Sequence, residues 1–179
     1  FAPHIHPAMR NAAAARAELK MRTAFNLLGP LTNPAGAQIQ IVGAPSLKAA
    51  ALIAQALRNL NLKRGFVVHG SDGMDEITLT GPTTIWDVHG DQFQVTPESF
   101  GLPVYQLEDL RSEPVTTAQA VLEGKPGPAR DIVLANASAV LVAAEVAKNW
   151  LEGVAIAAQS IDSGSAMGRV EALRHLSAK

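Results

Sequence analysis

The sequence contains no cysteine. Disulfides, thiolate nucleophiles and cysteine-ligated metals are therefore excluded, and a reducing compartment is compatible with the chain. It also lacks a charge imbalance. Fifteen Lys+Arg face sixteen Asp+Glu, a formal net charge of −1, and neither sign gathers into a run that would hold nucleic acid or an anionic membrane. Long apolar runs are missing too: Asn, Glu, Gln or Gly interrupts each one before the ~20 residues that a membrane-spanning helix requires. The opening "FAPHIHPAMRN" has no basic flank leading into the apolar core of a secretory signal. These absences point to a soluble, cytoplasmic protein with neither a nucleic-acid nor a membrane partner.

What is present suits a packed core. Hydrophobic residues make up 47% of the 179 and charged residues 17%, a globular composition. The length fits one domain over residues 1–179. The opening enters motif-like sequence directly, without Met, which gives the expectation that the chain is a piece of something longer.

Periodicity suggests the organisation. "HPAMRNAAAARAEL" (6–19) reads as a helix with small residues on one face, and "FNLLGPLTNPAGA" (25–37) as turns broken by Gly29, Pro30, Asn33, Pro34 and Gly36. "QIQIVGA" and "GFVVHG" read as buried strands on either side of the helix "SLKAAALIAQALRNLN", for which Ser46 is the N-cap. Strand, helix, strand is a βαβ unit and implies parallel pairing. "EITLT", "TTIWDVHG" and "DQFQVTP" read as short strands of a meander or hairpin at the sheet edge. The last third, from "TTAQAVLEG" to "RHLSA", reads as helices covering the sheet, joined by the connectors "LRSEPVTTAQ" and "GKPGPAR". The expected fold is α/β: a mostly parallel central sheet with an antiparallel edge, flanked by helices.

Three groups of residues bear on chemistry. "HGSDGMDEITLTG" (69–81) follows a strand end and places Asp72, Asp75 and Glu76 on a glycine-bearing loop. Loops at the carboxyl ends of parallel strands open into the crevice where α/β proteins bind ligands. Adjacent Asp75 and Glu76 offer hard oxygen ligands to Mg²⁺, which binds through one or two carboxylates plus substrate phosphates. A solvated turn is the competing reading of the same residues, with Asp72 as its turn former. The second group is basic: Arg10, Arg16, Lys20 and Arg22 with His4 and His6. An arginine beside an apolar wall can clasp a carboxylate bidentately, although most such residues lie on solvated helix faces. His4 and His6 alone do not make a zinc site. The third, "SIDSGSA", has no nucleophile elbow around its serines, so a hydrolase triad is not supported, and Asp162 reads as a polar helix contact.

The strings "FAPHIHPAMRNAAAARAELKMRTAFNLLGPLTNPAGA", "QIQIVGA", "FVVHGSDGMDEI", "VTPESFGL", "VLEGKPGPARDIVLANASAVLVA" and "LEGVAIAAQSIDSGSA" resemble, in order and over nearly the whole chain, the larger C-terminal part of the anthranilate phosphoribosyltransferases. The resemblance implies transfer of the 5-phosphoribosyl group from phosphoribosyl pyrophosphate to anthranilate, with Mg²⁺, in tryptophan biosynthesis. It implies that Asp75 and Glu76 bind the metal, that Arg16 holds the anthranilate carboxylate, and that His6 and Pro30 line the anthranilate channel. No residue is assigned as a catalytic acid, base or nucleophile.

The sequence also departs from the family. The family's "GTGGD" phosphate loop, its "KHGN" segment and its small N-terminal helical domain, through which such enzymes are expected to form homodimers, are absent from these residues. The chain alone is therefore expected to be inactive or very weak. The 111–120 connector differs from the family's "GGD...NA" segment, and "ELKMRT" replaces the commoner "ELGxRT". Other classes predict other features. A nucleoside phosphorylase has no need of Arg16 to read an aromatic carboxylate, and a nucleic-acid-binding relative would show a basic surface without the acidic pair.

Overall fold

The computed structural model describes Glu18, residues 25–111 and residues 113–177. The helix expected over 6–19, and with it His6 and Arg16, lies outside the described residues apart from Glu18. Among the described residues the chain runs α1 (Phe25–Leu31), β1 (Ile39–Gly43), α2 (Leu47–Asn59), β2 (Arg64–Gly70), β3 (Thr83–Asp87), β4 (Gln92–Val95), α3 (Pro114–Leu122), α4 (Pro128–Ala143), α5 (Trp150–Asp162) and α6 (Ser165–Ser177). Single 3₁₀ turns occur at Pro97–Phe100 and Leu107–Leu110.

The strands form one sheet in the order β1-β2-β3-β4. β1 and β2 are parallel, with Ile41 opposite Phe66 and Gly43 opposite Val68. β2–β3 and β3–β4 are antiparallel. The α/β class and the antiparallel edge are as expected. The parallel share is smaller than expected, since one of the three described pairings is parallel. The β1-α2-β2 crossover makes that pair; β3 returns antiparallel after the loop of residues 71–82, and a short turn joins β3 to β4.

Alternation along β2 divides the core into two layers. Val67 packs on one face with Val42, Ile53 and Leu57, against α2. Phe66 and Val68 pack on the other face with Ile85, Phe100, Ala135 and Ala139, against α4. β2 is buried on both faces, which is why "GFVVHG" reads as a continuous apolar run. Trp150, at the start of α5, fills the second layer, with its ring 5.7 Å from Phe66 and 5.5 Å from Phe100. Helix α2 starts where expected: the Ser46 side chain accepts the Ala49 N–H at 3.2 Å.

Four local expectations are revised. The "FNLLGP" part of the first turn region is helical, with Pro30 inside α1 one residue from its end. The turn comes after it: Thr32 caps the helix end through its hydroxyl to the Leu28 carbonyl at 2.9 Å, and Gly36 takes a left-handed φ of 61°. "EITLT" is not a strand, and the Ile77, Thr78 and Thr80 N–H groups go to side chains rather than to a neighbouring strand. The connector after Arg111 turns helical at Pro114, with the Glu113 carboxylate accepting the Thr116 N–H at 2.7 Å and its hydroxyl at 2.6 Å. The last helical run is two helices, broken at Gly164 with φ 76°.

Helices α4 and α5 touch through small residues. A Cβ on Gly153 would lie 2.9 Å from both Cα and Cβ of Ser138, a buried residue whose hydroxyl donates to the Trp150 carbonyl at 2.8 Å. Gly153→Ala is expected to destabilise the fold by about 1–3 kcal/mol through overpacking. Urea denaturation checks this, and an unchanged midpoint would show that α5 can move away without loss.

Candidate functional site

The acidic loop leaves β2 at Gly70 and closes at once. The Gly70 N–H donates to the Met74 carbonyl at 2.8 Å, the Gly73 N–H donates to the Gly70 carbonyl at 3.0 Å, and Gly73 has φ 90°. The chain then folds back over the carboxyl end of β1. The backbone carbonyl of Asp75 occupies the space that a Cβ would take on Gly43, so only glycine fits there. Asp75 and Glu76 therefore lie across the carboxyl ends of the two parallel strands, the place where α/β sheets bind ligands.

The three acids have different surroundings. Asp72 turns inward and organises the loop. Its carboxylate accepts the Met74 N–H at 3.1 Å and the hydroxyls of Thr78 and Thr80 at 2.6 and 2.7 Å. Burial pushes its carboxyl up, but the Thr78, Thr80 and Met74 hydrogen bonds together outweigh this and leave it below the usual value. Asp75 is exposed. Glu76 is half-buried, and its carboxyl is held above the usual range by burial first, then by the negative charges of Asp75 and Asp72.

No Lys or Arg among the described residues forms an ion pair with Asp75 or Glu76; the described ion pairs join Arg64 to Glu145, Arg130 to Asp162 and Arg174 to Glu171. Two neighbouring carboxylates, one of them poorly solvated, are thus left without a described counter-charge. Among the described residues no group of three or more His, Asp or Glu could enclose a metal. The donor set fits a hard divalent cation that keeps waters and completes its shell with ligand oxygens, as Mg²⁺ does.

Asn136, on α4, was not singled out from the sequence. Its Oδ1 accepts the Ile77 N–H at 2.9 Å, and its Nδ2 donates to the Ile77 carbonyl at 3.0 Å and to the Ile132 carbonyl at 3.0 Å. Nδ2 also lies 3.5 Å from Glu76 Oε2, at the outer limit of hydrogen bonding. The available signal was one asparagine in the apolar helical run "DIVLANASAVLVA", where a buried amide needs partners.

Of the other candidates, Pro30 lies partly buried in α1. Asp162 is a polar helix contact as read: its carboxylate meets Arg130 at 2.8 and 2.9 Å. A cleft of about 310 Å³ between α3 and the start of α4, lined in part by Thr116, Thr117, Lys125 and Arg130, shares no residue with the acidic loop. No helix among the described residues is long and apolar enough to cross a membrane.

The sheet and its acidic loop define an α/β fold with a candidate site at the carboxyl ends of its parallel strands. The family described as "Glycosyl transferase family, a/b domain" matches residues 1–167, and the chain belongs to it. Within it, the chain is similar to anthranilate phosphoribosyltransferases. It is 50% identical to the one from Solibacter usitatus over 99% of this chain and 54% of that protein, and 49% identical to the one from Rhodopseudomonas palustris (strain BisB5) over 97% and 53%. Among solved structures, that of the Thermus thermophilus enzyme superposes with a TM-score of 0.86 at 42% identity, covering 93% of this chain and 51% of that one. The Saccharomyces cerevisiae enzyme in complex with PRPP and Mg gives 0.87 at 32% identity, covering 95% and 50%. The chain spans about half the length of the curated relatives it matches.

Asp72 also generates a pH prediction. Its folded pKa lies below the ordinary value of 3.8, so its contribution is complete above 3.8 and is lost as pH falls through the lowered value. Asp72→Asn is expected to cost about 1 kcal/mol at neutral pH, after discounting charge-assisted hydrogen bonds for partial exposure. In urea denaturation the difference from wild type should shrink as pH drops below 3.8. A difference that stays constant with pH would remove the ionised carboxylate as its cause.

Proposed function

We propose that this chain is the larger α/β part of an anthranilate phosphoribosyltransferase, a glycosyltransferase of tryptophan biosynthesis. The reaction joins the 5-phosphoribosyl group of phosphoribosyl pyrophosphate to the amine of anthranilate and releases pyrophosphate. The observation that carries this reading is the Asp75–Glu76 pair, set across the carboxyl ends of β1 and β2 without a described counter-charge. The similarity to enzymes of this name, one solved with PRPP and Mg, supports it.

In this reading Asp75 and Glu76 hold Mg²⁺. The bound ion supplies charge neutralisation on the pyrophosphate oxygens as the leaving group departs. Asp75, being exposed, is accessible to a metal that retains waters, while Glu76 is held against α4. Arg16 clasps the anthranilate carboxylate, and His6 and Pro30 line the anthranilate channel. Orientation and charge stabilisation supply the acceleration, and no strong base on the protein is required. The "GTGGD" loop is not among these residues. The chain by itself is therefore expected to be inactive or very weak, and the activity belongs to the whole protein.

Calorimetric titration of the intact protein with Mg²⁺ and phosphoribosyl pyrophosphate, then with anthranilate, should show Mg²⁺-dependent heat. No heat with either ligand would remove the reading. Asp75→Asn together with Glu76→Gln should raise the Mg²⁺ concentration needed for half-maximal activity, and wild-type metal dependence would return the loop to a solvated turn. Arg16→Ala should raise the Michaelis constant for anthranilate and leave that for phosphoribosyl pyrophosphate unchanged. An unaltered anthranilate constant would take Arg16 out of its role.

A further inference from the structure

Resting on the metal reading above, we propose that Asn136 is a positioning residue for the acidic pair: it clamps both backbone polar groups of Ile77 and thereby fixes the carboxylate of Glu76 before any metal arrives. Asn136 Oδ1 accepts the Ile77 N–H at 2.9 Å while its Nδ2 donates to the carbonyl of the same residue at 3.0 Å. A two-point clamp on one peptide residue fixes orientation as well as position, much as a neighbouring strand would, in a segment that has no such strand. The clamp itself is anchored: Nδ2 also donates to the Ile132 carbonyl one turn earlier on α4, at 3.0 Å. Its partner is buried, since Ile77 has 0% exposure and so do Ala135 and Ala139 on the same helix, while Asn136 itself is half-buried.

Glu76 is the residue immediately before the clamped one, and its Oε2 lies 3.5 Å from the same Nδ2. A carboxylate that a metal must find in a set direction gains from being held there in advance, because the ordering cost is then met on folding rather than on binding. The helix that carries the clamp is also tied to the loop a second time. Tyr105 donates its N–H to the Leu79 carbonyl at 2.8 Å and its hydroxyl to Asp131 of α4 at 2.6 Å. Helix α4 thus acts as the rigid support on which the metal-facing side of the loop is built.

The test uses the intact enzyme with Mn²⁺ as the probe, in the presence of phosphoribosyl pyrophosphate, and reads bound Mn²⁺ by electron paramagnetic resonance. Asn136→Ala is expected to weaken Mn²⁺ about 10-fold, the usual effect of removing a group that orients a metal ligand. Asn136→Asp should weaken it as well, although it adds negative charge beside the pair, because it loses the donor to the Ile77 carbonyl. In both variants the Mg²⁺ activation constant should rise while the anthranilate Michaelis constant stays at the wild-type value, a split that a general loss of structure would not give.

Should either variant fail to fold, hydrogen exchange of the wild-type enzyme carries the same question. The Ile77 N–H must be protected before Mg²⁺ is added, and free exchange in the metal-free enzyme would overturn the inference. Asp75→Asn/Glu76→Gln is the control. If it loses Mn²⁺ and folded Asn136 variants do not, or if Asn136→Asp binds more tightly, the positioning role falls and the metal reading stands. If the control binds Mn²⁺ like wild type, the metal reading falls and the positioning role with it.

Discussion

Three consecutive residues, Ile77, Thr78 and Leu79, are shielded from water at 0%, 1% and 0% exposure without belonging to a strand. Each buried backbone group there would cost about 1–3 kcal/mol if left unpaired, so partners must come from elsewhere. They come from side chains and from a neighbouring loop. The Ile77 peptide groups go to Asn136, the Thr78 N–H goes to the Thr83 hydroxyl at 3.0 Å, and the Leu79 carbonyl goes to the Tyr105 N–H at 2.8 Å. Every partner comes from an element that must already be in place: α4, β3, or the segment after the Pro97–Phe100 turn. The acidic loop is therefore a product of the assembled fold, and its shape is as firm as the packing behind it.

That dependence gives the two sides of the loop separate tasks. Its first half is held from within the loop, since Asp72 accepts from Met74 and from Thr78 and Thr80 of the second half, closing a compact turn within nine residues of sequence. Its second half leans on α4 and on the glycine that lets the Asp75 carbonyl sit against β1. Between the two halves, Asp75 and Glu76 face each other's charge. Burial of Glu76, then the proximity of Asp75 and Asp72, raise the energy of its ionised form, which a divalent cation would relieve. Paired backbone groups at Ile77 thus stand beside two carboxylates that have no ion-pair partner among the described residues.

Much of this was readable from the residues. The strands β1 and β2, the helix between them and its Ser46 cap follow from apolar period and capping chemistry, which act over a few residues and need no tertiary partner. The β3–β4 hairpin follows from alternation and turn residues for the same reason. "EITLT" has the alternation of a strand, yet Thr78 and Thr80 point their hydroxyls at Asp72 and the peptide groups find side chains, so the pattern was genuine and its cause was misread. The Phe25–Leu31 helix was hidden because Gly29 and Pro30 read as helix breakers, yet both lie inside it. Asn136 was invisible for a different reason: it stands 59 residues from its partner Ile77, and no local pattern reports such a distance.

By itself, then, the sequence determined the α/β class, the position of an acidic pair after a buried strand, and the family to which the chain belongs, because composition, period and motif are local properties of a chain. Only the tertiary structure decided the surroundings of each carboxylate. Hydrogen-bond partners and burial set them apart, through Thr78 and Thr80 around Asp72 and through Asn136 beside Glu76, and both depend on which residues the packed fold brings together.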